Sequence, residues 1–372
     1  MLPAADSKES IRHLHRQQRE AKLQAAREFV ADSWTVMQDH MANGSDVVPE
    51  RIAPCLELVD AETWQSSLFR LASLSWSIPV SHGYGRRMRF LVWDASNSKL
   101  MGILALGDPV FNLAARDQHI GWSSAQRKKR LVGIMDAYVL GAVPPYSSLL
   151  CGKLIACLAS SREVVAAFAK KYGGSRGIIS RRKKRAALAV VTTTSALGRS
   201  AIYNRLVLDG RSYLKSVGYT SGWGHFHVPD DLFVQMRAYL TRRRHAYSAN
   251  HQFGDGPNWK LRAVRETLSL IGMDPDLLRH GVGREVFVGE VAKNALAYLK
   301  GHDGDCDHTG LLTASRIGEA ALQRWILGRA RRNPEYSLWK KEDLLSRLIP
   351  EGEGERDKVR GDVASKLQYR RA

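Results

Sequence analysis

Three carboxylates stand next to predicted strands in the central part of the chain. Asp94 ends the first of these strands, Asp108 follows the second, and Asp136 begins the third. Carboxylates at strand ends are able to hold two divalent metal ions that cleave a phosphodiester bond. Aspartate is also frequent in turns, where its side chain bonds to the backbone, and Asp94 directly precedes a predicted turn. The three residues are therefore catalytic candidates, with a purely structural role as the alternative.

Positive charge concentrates between Arg116 and Arg185. This stretch holds fifteen Lys or Arg residues against three acids, Asp117, Asp136 and Glu163, and so carries +12 of the formal charge of +19. Such a concentration is typical of proteins that contact nucleic-acid phosphates, although a solvated surface is the alternative. The predicted nucleic-acid contacts are Arg127, Lys128, Lys129, Arg130, Arg176, Arg181, Arg182, Lys183, Lys184 and Arg185.

Other residue patterns that carry chemistry are weaker or absent. The run 302–308 contains two histidines, three aspartates and a cysteine, but no second group stands at zinc-finger spacing, so we expect a polar loop. The sequence has neither a GxxxxGKS or GxxxxGKT phosphate loop nor a GxGxxG turn after a strand. We therefore expect neither a bound metal nor a bound cofactor.

Hydrophobic periodicity and turn residues predict the elements that would position these groups. The predicted helices cover residues 7–34, 62–74, 148–159, 161–172, 199–206, 232–243, 260–271, 284–300, 314–331 and 342–348. The predicted strands cover residues 89–94, 100–106, 137–143, 187–194 and 212–219. Because residues 96–99 are turn formers, the first two strands are expected to form a β-hairpin.

Strands that alternate with helices predict an α+β fold with a central mixed α/β domain. We expect a helical segment at 1–85, the α/β domain with its basic loops at 86–224, a helical region at 225–350 and a flexible tail at 351–372. The tail is assigned because it mixes charges with glycines and has few apolar residues that could pack into a core.

The composition excludes several classes of protein. The chain has 372 residues, of which 44 % are hydrophobic and 25 % charged, as in folded soluble proteins rather than collagen-like or disordered ones. The longest apolar region, 131–159, is interrupted by two charges and two prolines, so no membrane span is expected. The excess of positive charge exceeds what solubility requires and indicates a polyanionic partner.

The cysteines and the first residues favour a cytoplasmic protein. Cys55, Cys151, Cys157 and Cys306 show no CxxC spacing, which fits free thiols in a reducing compartment. The beginning of the chain lacks the order of basic, apolar and small residues that is typical of a signal peptide. We therefore expect a cytoplasmic location.

Six segments of the central region form a distinctive series. They are FLVWD at 90–94, GILALGD at 102–108, FNLAARD at 111–117, IGW at 120–122, RKKR at 127–130 and MDAYVLGAVPP at 135–145. In this order they resemble the DruA family of the Druantia anti-phage defence system, over residues 86–224. The resemblance implies antiviral defence in bacteria, with several companion proteins that include a large helicase-like one. It carries over no catalytic residue.

The order of elements in the same region also resembles GNAT-type acyltransferases. That resemblance implies an acyl-CoA cofactor, whose pyrophosphate such enzymes hold on the backbone of a turn rich in glycine that begins with Arg or Gln. The matching stretch here, 145–152, has a single glycine and no cation. The departure puts acyl-CoA binding in doubt and leaves a scaffold for binding alone as the alternative.

These observations lead to one leading hypothesis and two alternatives. The leading hypothesis is a component of a multi-protein anti-phage system that binds DNA or RNA through its basic surface and contacts companion proteins within 232–348. The alternatives are a metal-dependent nuclease that uses Asp94, Asp108 and Asp136, and a GNAT-like acyltransferase that uses acyl-CoA.

Overall fold

The computed structural model describes residues 7–81, 83, 85–174, 186–222, 224–248 and 257–349. Within these ranges the chain is a mixed helical and sheet protein, which confirms the predicted α+β class. The predicted contacts Arg176, Arg181, Arg182, Lys183, Lys184 and Arg185, and the predicted tail 351–372, lie outside the described residues.

Eight strands form one mixed sheet in the described part of the chain. The strands are β1 (Pro54–Leu58), β2 (Arg87–Asp94), β3 (Lys99–Gly107), β4 (Ile134–Ala142), β5 (Val190–Thr194), β6 (Leu206–Leu208), β7 (Arg211–Tyr219) and β8 (Glu285–Glu290). Their order across the sheet is β1-β2-β3-β4-β5-β8-β7-β6. Strands β4 and β5 run parallel, whereas every other neighbouring pair is antiparallel.

Helices precede, interrupt and follow the sheet. The α-helices are α1 (Lys8–Leu14), α2 (Arg16–Ala25), α3 (Arg27–Met37), α4 (Trp64–Leu74), α5 (Ala114–Ile120), α6 (Ser124–Arg130), α7 (Cys151–Leu158), α8 (Arg162–Tyr172), α9 (Asp230–Arg242), α10 (Pro257–Leu270), α11 (Ala295–Lys300), α12 (Ala314–Ala321), α13 (Leu327–Arg332) and α14 (Glu342–Leu348). Across the described ranges, no helix has both the length and the apolar character that a bilayer crossing requires.

Strand β3 shows why the centre of the sheet is buried on both faces. Successive side chains of a strand point to opposite faces, so a strand covered on both sides is apolar throughout. Leu104 and Leu106 belong to one hydrophobic core, whereas Ile103 and Ala105 belong to another. Helix α7 packs against β3 and β4, and α4 packs against β2 and β3.

The chain forms two compact units that are not continuous in sequence. One unit consists of Met1–Lys22 with Ser221–Gly283, and its core joins α9 to α10 through an edge contact between the rings of Phe233 and Trp259. The other unit consists of Leu23–Thr220 with Arg284–Ala372 and contains the whole sheet. The predicted division into a helical segment at 1–85, an α/β domain at 86–224, a helical region at 225–350 and a tail at 351–372 stays a prediction.

The structure corrects the predicted elements at four places. The helix expected at 199–206 is a turn followed by strand β6. The helix expected at 284–300 is strand β8 followed by α11, because β8 is a buried strand between β5 and β7. The helical segment expected at 1–85 also contributes a strand, β1, at the edge of the sheet. The single helix expected at 7–34 is divided into α1, α2 and α3 near His15 and Ala26, neither of which is a helix breaker by type.

Candidate nucleic-acid interface

Helix α6 carries the first basic block of the sequence. Ser123 caps its start: the Ser123 hydroxyl accepts a hydrogen bond from the Gln126 N–H, and the Gln126 side chain accepts one from the Ser123 N–H at 2.6 Å. This reciprocal pair satisfies backbone donors that a helix start leaves unbonded. The Gln126 amide also donates to the Lys300 carbonyl at 2.6 Å, which fastens α6 to the end of α11.

The four cations at the end of α6 have two different roles. Arg127 donates to Asp117 at 2.8 Å and lies over the Phe111 ring, and Arg130 lies over the Tyr298 ring at 4.8 Å. Both arginines are half-buried, whereas Lys128 and Lys129 are exposed. The block of four therefore presents two fully solvated charges, and its two arginines hold the helix in place.

Asp117 is the carboxylate that fixes α6 to α5. It accepts hydrogen bonds from the Arg116 guanidinium at 2.7 and 2.9 Å, from the Trp122 indole at 3.1 Å and from Arg127. Burial acts to raise the pKa of Asp117, but the bonds from Arg116, Leu113 and Arg127 outweigh it and hold the pKa below its ordinary value. Asp117 therefore stays ionised and pairs with both arginines.

Arg86, the residue before β2, connects that strand to the segment that follows α6. Its guanidinium donates to the carbonyls of Val132 and Ile134 at 2.8 and 3.1 Å, just after α6, and to the Asp108 carboxylate at 2.7 Å. The Asp108 side chain also accepts from the Arg86 N–H at 3.0 Å. Asp108 therefore acts as the partner of Arg86 in the observed structure.

A second group of exposed cations lies where α8 ends. Lys170 and Lys171 occupy the last turn of α8 and are exposed, as is Arg87 at the start of β2. The Tyr172 hydroxyl and the Lys171 ammonium donate to the Arg87 carbonyl at 2.8 and 3.1 Å. These bonds place the charges at the end of α8 next to Arg87.

The residues that flank 175–185 approach the same region from two sides. On one side, Gly174 comes two residues after Tyr172 at the end of α8. On the other side, the Ala189 N–H donates to the Gly133 carbonyl at 2.8 Å. The Ala187 carbonyl oxygen also approaches Gly133 closely, at 3.1 Å from the position that a Cβ there would occupy. Gly133 comes three residues after α6. The described residues on either side of 175–185 therefore lie near the ends of α6 and α8.

The three candidate carboxylates do not form one site. Asp94 pairs with Lys99 at the hairpin end of β2. At the other end of β2, Arg87 pairs with Gly107, the residue before Asp108, and Gly107 also pairs with Asp136. Seven residues of strand separate Asp94 from that end, or about 23 Å at about 3.3 Å per residue. Two-metal sites require carboxylates that reach ions about 3.5–4 Å apart. The predicted metal site of all three is therefore not present in this geometry.

Asp94 and Asp136 have local hydrogen-bond partners. Asp94 is fully buried and accepts bonds from the Ala53 N–H, from the Ser96 N–H and hydroxyl, and from the Tyr146 hydroxyl at 2.9 Å. Asp136 accepts from the Thr192 hydroxyl at 2.7 Å, and burial raises the pKa of Asp136 to about 6 against the opposing effects of Thr192 and Arg116. No group of three or more His, Cys, Asp or Glu suited to a metal ion occurs among the described residues.

The sequence did not indicate Arg86, Asp117 or the lysines at the end of α8 as parts of one region. Arg116 and Asp117 are adjacent in an ordinary helix, and only the complete burial of Arg116 next to a half-buried Asp117 shows their importance. The run 302–308 is a polar loop, in which Asp303 accepts from the Asn294 amide and His308 contacts the Leu188 carbonyl.

The sequence was compared with known proteins. A family model described as "Druantia protein DruA" matches residues 5–301. The chain is similar to a curated protein of Escherichia coli (strain UMEA 4076-1) named "Druantia protein DruA", with 52 % identity over 340 residues that cover 91 % of this chain and 84 % of that protein. No solved structure matches the chain, so the GNAT-type resemblance of the central region stays a prediction.

Proposed function

Because this chain belongs to the DruA family, and so is a component of the Druantia anti-phage defence system, we propose that it binds nucleic acid for that system. The proposed binding region, named here the basic surface, consists of Arg87, Lys128, Lys129, Lys170 and Lys171 together with the attached segment 175–185. Its charge attracts the phosphates of DNA or RNA without reading their sequence.

The observation that carries the proposal is the division of roles on α6. Arg127 and Arg130 are used within the fold, whereas Lys128 and Lys129 point charges into solvent with no carboxylate at salt-bridge distance in the described structure. Lys170 at the end of α8 likewise forms no described salt bridge. Lysines that the fold does not use remain available to phosphates, and removing their charge leaves the core intact.

The test compares the salt dependence of binding in two charge-matched variants. Each phosphate contact on duplex DNA contributes about 0.9 to the slope of log K against log salt, so Lys128→Gln/Lys129→Gln should flatten the slope by about 1.8. The control, Arg51→Gln/Lys340→Gln, removes the same charge at exposed positions before β1 and before α14. Binding is measured by fluorescence anisotropy on labelled duplex DNA and on single-stranded RNA.

Substitution of the second basic block extends the same test. Replacing Arg181, Arg182, Lys183, Lys184 and Arg185 by Gln should flatten the slope further if the two blocks bind one nucleic acid. Equal slopes in the wild-type chain and in both sets of variants, or equal losses in the α6 variant and its control, would contradict the proposed surface.

Family membership supports other Druantia proteins as partners. Within 232–348, Trp325 and Ile326 are buried in the core of the sheet unit and are not available for a contact. In the same range, exposed apolar side chains occur near α9 and α10: Leu232, Val234, Leu270, Ile271, Met273 and Leu277. Exposed apolar groups of this kind favour protein contacts, so the proposed contact comprises these residues.

The partner contact is tested by co-purification with the other proteins of the system, first with the helicase-like companion that the family resemblance implies. Val234 is 63 % exposed, so Val234→Asp should weaken co-purification without unfolding the chain. The salt-dependent binding of nucleic acid should stay unchanged in this variant. Undiminished co-purification of the Val234→Asp/Ile271→Asp variant would exclude this contact.

The enzyme alternatives gain no specific support from the described residues. The separation of Asp94 from Asp108 and Asp136 removes the common site that the nuclease alternative requires. The acyltransferase alternative lacks the basic, glycine-rich turn that would hold acyl-CoA. A cytoplasmic location stays a prediction.

A further inference from the structure

A cavity of about 460 Å³ lies where β7 begins and β8 ends. Strands β7 and β8 run antiparallel, with Lys215 opposite Val288, so the start of β7 lies beside the residues that follow β8. Residues 291–293 and 309–311 complete the wall. The volume is within the range of about 300–1,000 Å³ that small-molecule sites occupy.

The charged lining of this cavity carries an excess of two positive charges. Arg211, Lys215 and Lys293 contribute three cations, and Glu290 contributes one carboxylate. Within the described ranges none of the three cations forms a salt bridge, and the His119 ring lies 3.8 Å from the Glu290 carboxylate. A phosphate monoester carries about −1.5 to −2 charges at pH 7 and three strong acceptor oxygens. The charge of the lining therefore matches one such group.

The backbone shapes the cavity around Lys293. Gly310 adopts φ of +80°, and a Cβ at that position would lie 3.6 Å from the Lys293 side chain. A larger residue would be strained in this backbone conformation, whereas its Cβ would make only ordinary contact with the lysine. The Arg211 guanidinium lies over the Tyr213 ring at 5.2 Å, which restricts its orientation. Of the three cations, Arg211 is thus positioned by a neighbouring side chain.

The remaining wall combines apolar residues with Ser212 and Thr309. Val288, Val291 and Leu311 are buried and line the cavity next to the charged groups. A site for inorganic phosphate alone requires cations but no apolar wall, whereas a nucleoside has flat faces that pack on apolar side chains and hydroxyl or amino groups that donate hydrogen bonds. Glu290 supplies an acceptor for such a donor.

We propose that this cavity binds a nucleoside phosphate, a site separate from the basic surface. The phosphate contacts Arg211, Lys215 and Lys293, the base or sugar packs against Val291 and Leu311, and Glu290 accepts a hydrogen bond from the nucleoside. The same chemistry is available from a free mononucleotide and from the 5′-phosphorylated end of a nucleic-acid strand.

The experiment uses the full chain and isothermal titration calorimetry with adenosine 5′-monophosphate, adenosine and inorganic phosphate. Adenosine should bind at least about tenfold more weakly than the monophosphate, since each lost charge-assisted contact corresponds to about a tenfold change. Inorganic phosphate should also bind at least about tenfold more weakly, because it lacks the packing on Val291 and Leu311 and the hydrogen bond to Glu290. Lys293→Gln should weaken monophosphate binding about tenfold with an unchanged melting temperature. Lys215→Gln, at a second exposed position, provides an independent variant.

A pair of short oligonucleotides, one with a 5′-phosphate and one with a 5′-hydroxyl, distinguishes the two sources of the ligand. Stronger competition by the phosphorylated strand indicates a strand end, whereas binding of the free monophosphate without such competition indicates a free nucleotide. The Lys128→Gln/Lys129→Gln variant should keep full monophosphate binding, which separates this site from the basic surface.

Three results would overturn the proposal. They are the absence of monophosphate binding to the wild-type chain, equal affinity for inorganic phosphate and the monophosphate, and equal affinity of the wild-type chain and both lysine variants.

Discussion

Removal of the Asp94 carboxylate tests whether this residue is a structural centre or a catalytic group. The side chain is fully buried at the end of β2 and accepts four hydrogen bonds, of 2.8 to 3.1 Å, from Ala53, Ser96 and Tyr146. In the Asp94→Ala variant these donors lose their acceptor. We therefore expect a large loss of folding free energy whether or not the protein has a nuclease activity.

The magnitude follows from where the donors lie. Ser96 is exposed, so water replaces the bonds that its N–H and hydroxyl lose, at little cost. The Tyr146 hydroxyl is buried, and a buried bond to a charged acceptor contributes about 1.5–3 kcal/mol. Ala53 is exposed like Ser96, so its N–H adds little, and Asp94→Ala should lower the free energy of unfolding by about 2–3 kcal/mol.

Urea unfolding at 25 °C, followed by tryptophan fluorescence, measures this loss in the sheet unit. Asp94→Asn is the matched control, because its amide oxygen still accepts from Ala53 and Ser96, and its NH2 is able to donate to the Tyr146 hydroxyl, which keeps Asn97 Oδ1 as an acceptor at 3.2 Å. This variant should therefore recover most of the lost stability. Tyr146→Phe in both backgrounds measures the coupling between the two side chains. A loss below about 1 kcal/mol in Asp94→Ala, or equal losses in the Ala and Asn variants, would refute a structural role.

Three further predictions concern other parts of the sheet unit. Burial raises the pKa of Asp136 to about 6, so the folded state binds the proton more tightly, and the free energy of unfolding should fall as pH rises from about 4 to 6. A pKa shift of one unit corresponds to about 1.36 kcal/mol, and the partial exposure of the side chain reduces this contribution. The Asp136→Asn variant should therefore be more stable than the wild-type chain above pH 7 by about 2 kcal/mol. Its thermal unfolding should also lose this pH dependence. Arg127→Gln should cost about 1–2 kcal/mol in urea unfolding, whereas Lys128→Gln should stay within about 0.5 kcal/mol, and equal effects would contradict their different roles. Gly102→Ala should cost about 1–3 kcal/mol in the same assay, because its Cβ would overlap the Gly141 carbonyl oxygen, and a neutral effect would contradict the tight packing of β3 on β4.

Local signals were sufficient where an element depends on its own residues. The hairpin of β2 and β3 was predicted because strand formers flank a run of turn residues, and the structure confirms it at 87–107. Helix α8 was predicted from its apolar spacing, and it begins after Ser161, whose hydroxyl accepts from the Val164 N–H. In both cases the determining contacts join residues close in sequence.

Strand β8 shows where local signals fail. Its residues are mostly apolar, and a short apolar run is compatible with a buried strand and with a buried helix. Its strand form depends on pairing with β5 and β7, for example Val190 with Glu290, which are about a hundred positions apart in sequence. No window of sequence around β8 contains these partners.

The candidate site divides in the same way. The sequence alone determined the family, the α+β class and the concentration of positive charge, because each depends on residue identity and order. Only the tertiary structure decided which charges are available: Asp117 and Phe111 engage Arg127, and Tyr298 engages Arg130, whereas Lys128 and Lys129 remain in solvent. It also separated Asp94 from Asp108 and Asp136. Charge is a property of a residue, but its availability depends on the neighbours that folding brings to it.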